Sequence, residues 1–354
     1  MNRRNLLLIP VAIPALWAFT APADEVHFHI AEGTTLNSAF DTTVELSLDE
    51  MRIVSNGEEQ DASMFGLEID MSNITSLHFT DQYVHVKDGR PTEFVRTYET
   101  LSNSVETSQA NAVTGSMDST VLSDSELEDS AVRFTWDSEE QAYVVNFADE
   151  DSGGDEELLE NLTARADLLE FLPESGVARG DTWEVDVDVI LLLMAPGGDV
   201  KLVPLDLEDS PMGQDPMADV SFSEMMGDIE GEISAEYMGL TEIDGVSFAS
   251  LKITISVNSA NDLTDMLQET ASEMGQEGVD IRFDAVDVEM AIEGEGSLLW
   301  DVKGGHFASF EFSADLEQIM DMSMSLQTPM GNMEMEQTIS MSGSMEFDFS
   351  ATRE

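Results

Sequence analysis

The sequence predicts a mainly β fold, with long antiparallel strands in one or two strongly curved, half-barrel-like sheets and a few short helices. Three observations carry that expectation. Apolar and polar residues alternate with a period of two along most of the chain. Glycine turns such as Asp88-Gly89, Asp244-Gly245 and Gly304-Gly305 separate the alternating runs. A helical period is confined to two stretches, Asp155 to Leu172 and Asn261 to Met274.

In chain order, Phe40, Thr42, Val44, Leu46 and Leu48 fall on one face of a strand, with Asp41, Thr43, Glu45 and Ser47 on the other. Ile74 to Phe79 and Tyr83 to Lys87 read as strands, and Thr92 to Tyr98 returns from the Asp88-Gly89 turn. Ser102 to Asp129, rich in Ser, Thr, Asn and Asp, reads as a long polar loop or insert. Val132 to Trp136 and Tyr143 to Phe147 form a hairpin. Asp155 to Leu172 reads as a helix: its leucines recur at spacings of one, three and four, acids occupy its first turn, and Pro173 stops it. A strand is expected from Trp183 through Leu193, then an irregular loop over Gly197 to Met217. Ile229 to Leu240 and Val246 to Val257 pair about Asp244-Gly245. Asn261 or Asp262 would cap the second helix. From Val279 onward the alternation is nearly unbroken. Val86-Lys87-Asp88-Gly89 with Phe94 is echoed by Val302-Lys303-Gly304-Gly305 with Phe310, which raises the idea of two related lobes.

Residues 1–23 read as a secretory leader. Arg3 and Arg4 precede an apolar stretch interrupted by Pro10 and Pro14, and Ala21-Pro22-Ala23 offers small residues before a cleavage site. The expected organisation is therefore a leader (1–23), an N-terminal β lobe (24–150) with the polar insert near 102–129, and a helix followed by a C-terminal β lobe (151–354). The stretch is too short for a membrane span, and none is expected after cleavage. The destination is the periplasm or the cell exterior.

The 354 residues carry 14 Lys and Arg against 73 Asp and Glu, a net charge of −59. Losing Arg3 and Arg4 leaves 12 basic against 73 acidic residues, or −61. Such a charge repels phosphate backbones, so nucleic acid is excluded as a partner. With no cysteine there is no disulfide framework and no thiolate chemistry. The chain has no G-x-S-x-G elbow, no H-E-x-x-H and no phosphate loop, and a non-catalytic protein is expected.

Three local patterns bear on binding. Asp149 to Glu160 resembles an EF-hand calcium loop, with Asp149, Asp151, Asp155 and Glu160 as candidate ligands and Gly154 at the sixth position. It departs from that pattern at Gly153, which offers no ligand, at Glu156, where an apolar residue is usual, and in following a strand. His27 and His29 share a strand face and suit Zn²⁺ or Cu²⁺, or else are polar residues of an edge strand. Met320, Met322, Met324, Met330, Met333, Met335, Met341 and Met345 suit copper(I), but their continuation by Leu326, Ile339 and Phe347 favours an apolar face. The function expected is therefore binding of a lipid-like apolar ligand or a protein partner, with no cofactor. The alternative is a structural envelope or surface protein stabilised by Ca²⁺.

Two motifs, Tyr-Val-His-Val-Lys-Asp-Gly-Arg-Pro-Thr-Glu-Phe-Val-Arg-Thr-Tyr over Tyr83 to Tyr98 and L-P-E-S-G-V-A-R-G-D-T-W over Leu172 to Trp183, resemble those of uncharacterised exported bacterial β proteins. The resemblance implies export and a β architecture, and brings no site with it. Physically, Arg90 and Pro91 shape a turn, and Trp183 anchors a strand.

Overall fold

The computed structural model describes residues 24, 26–60, 66–87, 89–111, 115–149, 154–205, 226–273, 280–328 and 331–354. The expected leader lies outside the described residues.

The strands are β1 (Thr35–Ser55), β2 (Glu58–Gln60), β3 (Glu68–Lys87), β4 (Arg90–Asn111), β5 (Gly115–Asp124), β6 (Ala131–Asp137), β7 (Ala142–Phe147), β8 (Thr182–Val185), β9 (Val203–Pro204), β10 (Asp228–Ile243), β11 (Val246–Asp262), β12 (Asp280–Asp301), β13 (His306–Thr328) and β14 (Gly331–Arg353). They form one antiparallel sheet in the order β7-β6-β4-β3-β1-β14-β13-β12-β11-β10-β8, with β2 on β1, β5 on β4 and β9 on β5. The sheet is not closed into a barrel. Each half is a meander, and β1 and β14 join the halves at the centre with Phe40 opposite Phe349 and Val44 opposite Met345. The two hairpins that echo one another in sequence, β3–β4 and β12–β13, occupy the second and third places on either side of that seam.

Alternation decides which face is buried. Leu36, Phe40, Val44 and Leu46 of β1 are buried, as are Phe310, Phe312 and Leu316 of β13 and Met345, Phe347 and Phe349 of β14. Phe40, Phe79, Phe310, Phe347 and Phe349 join in a chain of ring contacts at 4.9–6.5 Å between centroids, a geometry that adds to the burial of each ring. The chain between β7 and β10 covers this face. It buries Leu162, Leu168 and Phe171, then Ile190 and Leu193 of the short helix α1 (Val189–Met194), and Phe171 stacks on Phe310 at 5.6 Å.

Three expectations are corrected. Asp155 to Leu172 is not one helix: it holds two 3₁₀ turns, Glu156–Leu159 and Leu169–Phe171. Left-handed backbone at Asn161 (φ 66°) and Leu168 (φ 55°) breaks the intervening chain; Leu162 and Leu168 are buried, and Leu158, Leu159, Leu169 and Leu172 pack half-buried against the core. Trp183 to Leu193 is not one strand. Asp186 turns the chain by accepting the Asp188 N–H at 3.1 Å, and the apolar run that follows is α1, buried on most of its surface. A continuous apolar run has no period to separate the two states. Ser102 to Asp129 is not a loop: β4 continues to Asn111, and β5 pairs with it from Asn111↔Gly115 to Ser102↔Asp124. Its polar sequence reflects strands that reach water on both faces. Of the expected loop over Gly197 to Met217, Val203–Pro204 pairs with β5, and residues 206–217 lie outside the described residues.

The second helix is α2 (Thr264–Glu273). Asp262 accepts the Thr264 N–H at 2.9 Å, and hydrogen bonding from the Thr264 side chain and then from its N–H holds the Asp262 carboxyl below the usual range. In the Leu172 to Trp183 motif, Trp183 is half-buried and donates to the Phe171 carbonyl at 3.2 Å, while Asp181 accepts the Ala178 N–H at 2.8 Å. Both contacts tie the start of β8 to the covering segment.

Candidate functional site

Among the described residues, the cover does not extend along the whole sheet. On β13 the core-facing side chains are buried up to Leu316, then Met320, Met322, Met324 and Leu326 are only half-buried. On β14 the same happens from Met345 toward Met341, Ile339 and Met335, and Met333 is exposed. These residues lie opposite one another: Met320 faces Ile339, Met324 faces Met335 and Leu326 faces Met333.

Two bulges keep neighbouring strands in the same phase. In β1 the register shifts between Leu48 and Glu50, so that Met51 and Ile53, instead of Glu50 and Arg52, share the face of Ile339. In β12 a shift between Phe283 and Ala285 likewise returns Phe283 to the face of Met324. An extra residue re-aims every side chain beyond it. At the β12 bulge, α2 closes the backbone: Gln268 Oε1 accepts the Phe283 N–H at 2.9 Å, and Thr264 Oγ1 accepts the Val286 N–H at 2.8 Å.

Across the seam the same face becomes polar but stays uncharged. Met71, Asn73 and Thr75 of β3 lie beside Thr107, Val105 and Asn103 of β4, and these beside Ser119, Val121 and Ser123 of β5. No Asp, Glu, Lys, Arg or His stands in this phase on the open parts of β1, β3, β4, β5, β13 or β14. The opposite face is acidic. Asp41, Asp348 and Glu311 are direct neighbours across three strands, and Asp315 lies opposite Glu293. Of three open clefts, the one of about 570 Å³ holds Glu45, Asp70, Glu106 and Asp118, the one of about 720 Å³ follows Glu170 to Asp186, and the one of about 230 Å³ includes Arg52 and Asp321. The methionine face is an open surface, with no enclosed cavity among these.

A separate charged group lies in the core. Arg96 and Asp81 are direct cross-strand partners on β4 and β3. Arg96 Nε and a terminal nitrogen donate to the two Asp81 oxygens at 2.8 and 2.9 Å, and the other terminal nitrogen donates to the Thr163 carbonyl at 3.2 Å. The guanidinium lies 4.0 Å from the Phe79 ring centre. Burial opposes the Arg96 charge, but Asp81 overrides it, so the proton is held more tightly than usual. Beside this pair, burial and then Glu170 raise the Asp167 carboxyl to about 7. Burial, followed by Asp81 and Asp167, pushes the Tyr83 hydroxyl up. The sequence signal was present but unread: Arg96 stands in the apolar phase of Phe94 and Tyr98, and Asp81 in that of Phe79 and Tyr83.

The predicted metal ligands are placed as follows. Asp149 lies in a bend after β7, and Asp151 lies outside the described residues. Asp155 accepts the Glu157 N–H at 3.0 Å as the cap of the first 3₁₀ turn, and exposed Glu160 follows that turn. Gly154 is not left-handed; a side chain there would run into the Phe147 ring. Among the described residues, no three His, Cys, Asp or Glu side chains are grouped to hold a metal ion. Both His29 ring nitrogens lie 3.1 Å from backbone carbonyls, those of His27 and Lys303. No helix among the described residues is long and apolar enough to cross a membrane.

No protein-family model matches the chain, and no curated protein matches it. Three solved structures show weak likeness. The outer membrane protein OprG from Pseudomonas aeruginosa is 8% identical over 91% of this chain and 99% of that one, with a TM-score of 0.20. A DUF1329 family protein from Desulfovibrio piger is 9% identical over 86% and 84%, with a TM-score of 0.14. The outer membrane protease OmpT from Escherichia coli is 7% identical over 88% and 96%, with a TM-score of 0.11. Likeness at this level establishes neither a shared fold nor a shared activity.

Proposed function

We propose that the protein is an exported, non-catalytic β protein that holds an apolar ligand on the open face of its sheet. One observation supports this above the others. In a chain with 73 acidic residues, a run of neighbouring strands presents a half-buried face without a single charge, while the reverse face is densely acidic. A contiguous apolar face left open to solvent marks a place where something binds. Methionine suits the role, because its unbranched, polarisable side chain adapts to varied apolar shapes. The leader-like residues 1–23 support delivery to the periplasm or exterior.

Native mass spectrometry of the protein from its own cells tests the reading. The expected result is an added mass that survives chelator and leaves on solvent extraction. The extracted protein should take up the neutral dye N-phenyl-1-naphthylamine, and Met320→Glu with Met324→Glu should reduce that uptake at least tenfold. A bare polypeptide mass together with no dye uptake would overturn the proposal.

A second reading, a structural envelope or surface protein stabilised by Ca²⁺, is favoured by the neighbouring carboxylates of Asp41, Asp348 and Glu311. It requires the melting temperature to rise with millimolar Ca²⁺ at constant ionic strength, and an unchanged melting temperature removes it.

A further inference from the structure

Resting on the apolar-ligand reading, we infer that the ligand is a neutral amphiphile, with its chain over the methionines of β13 and β14 and an uncharged, hydrogen-bonding head over Asn73 and Asn103. The open face is divided on a diagonal: Asn73 and Thr75 stand in register with Val44 and Thr42 of β1, and the open methionines begin where β1 reaches Leu48 and Met51. The β13–β14–β1 side is thioether and branched alkyl. The β3–β4–β5 side carries amides and hydroxyls. Asn103 Nδ2 donates to Thr75 Oγ1 at 2.9 Å and to Asn73 Oδ1. That arrangement leaves the Asn73 amide N–H groups and the Asn103 amide oxygen without a partner among the described residues, and both side chains are half-buried. A partly buried donor and acceptor side by side match a hydroxyl or amide head, which both gives and accepts a hydrogen bond.

Charge selects the class of head. An anionic head finds no Lys, Arg or His on this face and meets a protein of net charge −59. Around Asn73 and Asn103 a cationic head finds no carboxylate in this phase of β3, β4 or β5, and the acids of the reverse face draw it there instead. Only an uncharged head leaves no buried charge unpaired. Size agrees. Asn73 is in register with Val44 and Met341 with Leu48, so Met341 lies two strand spacings across and four residues along from Asn73, about 16 Å on the diagonal at about 4.8 Å per strand and about 3.3 Å per residue, which is within the reach of a long acyl chain.

The test compares amphiphiles of one chain length on solvent-extracted protein: a monoacylglycerol, the free fatty acid at pH 8, and the alkyltrimethylammonium salt. The expected result is that the monoacylglycerol binds at least tenfold more tightly than either ion. Asn73→Ala with Asn103→Ala should remove most of that preference while leaving uptake of N-phenyl-1-naphthylamine unchanged. Equal binding of the fatty acid or of the ammonium salt overturns the neutral-head inference and leaves the apolar reading standing. Failure of all three amphiphiles and of the dye overturns both. The comparison of heads is made on the unsubstituted protein, so it does not depend on how the variants fold.

Discussion

At the scale of the residue, the Arg96–Asp81 pair is the interaction most exposed to a single substitution. Both side chains are almost fully buried, at 1% and 8% exposure. Arg96→Met strands the Asp81 carboxylate and should cost about 3–5 kcal/mol in urea unfolding. Adding Asp81→Leu should recover much of that loss, because a buried ion pair contributes little net stability compared with apolar residues. If the double variant is no more stable than the single one, the pair does more than neutralise itself. Asp167 sets a pH dependence. Its folded value of about 7 lies above the ordinary carboxylate value of 3.8, so the folded state binds that proton more tightly. Its contribution is therefore present at low pH and is lost as pH rises from about 4 through 7. Asp167→Asn should flatten this part of the stability profile, measured by thermal melts across buffers. A profile that falls as steeply in the variant assigns the fall to other groups. Asp81 and Arg96 were legible as charges in an apolar phase on adjoining strands. Asp167 was not, because its burial depends on a covering segment whose path no period reveals.

At the scale of the element, the long strands were readable wherever one face is buried and the other is wet. Phe40 to Leu48 shows this most plainly: each side chain takes the face that alternation assigns it. Legibility failed where that contrast was absent. β5 meets water on both faces and resembled a loop; α1 is buried on most of its surface and resembled a strand. The extra residues in β1 and β12 were also hidden, since a shift of one residue looks like a break in the pattern until the partner strand is known. The open face depends on them. The seam between the halves makes its own demand at Gly343, which sits between Leu46 and Leu316. A Cβ at Gly343 would collide with the Glu45 backbone carbonyl, which cannot move without parting β1 from β14. Gly343→Ala should cost about 1–3 kcal/mol or more and speed hydrogen exchange of the Thr43 to Leu48 amides. Unchanged exchange there would show that the seam tolerates the methyl group.

At the scale of the whole molecule, 73 acids against 14 bases repel one another over the outer face. Direct cross-strand neighbours such as Asp41 and Asp348 have few cations nearby; Lys252 with Glu295 at 2.7 Å is one exposed pair that does. Screening falls from about 10 Å at 0.1 M salt to about 3 Å at 1 M. The melting temperature should therefore rise steadily between those concentrations, with NaCl and KCl equivalent. A melting temperature indifferent to salt would mean that the strand pairing already absorbs the repulsion. The charge total was legible from composition, and so was its segregation to one strand phase. That this segregation leaves the other phase neutral beyond the core could be seen only once the strands were paired.

The central seam also fixes an order of events. Among the described strands, β1 is synthesised first and β14 last, yet each is the other's neighbour. Until β14 emerges, the N-terminal meander has no partner along β1, and Phe40 and Val44 have no neighbours on that side. From the emergence of β1 to that of β14 the nascent chain therefore carries an unpaired apolar edge at what becomes the centre of the sheet, a state that invites pairing with other chains. Completion of the sheet is a single late step, closed by the C-terminal strand. A chain shortened by that one strand loses the join between its two halves, which the loss of an outer strand such as β7 would leave intact.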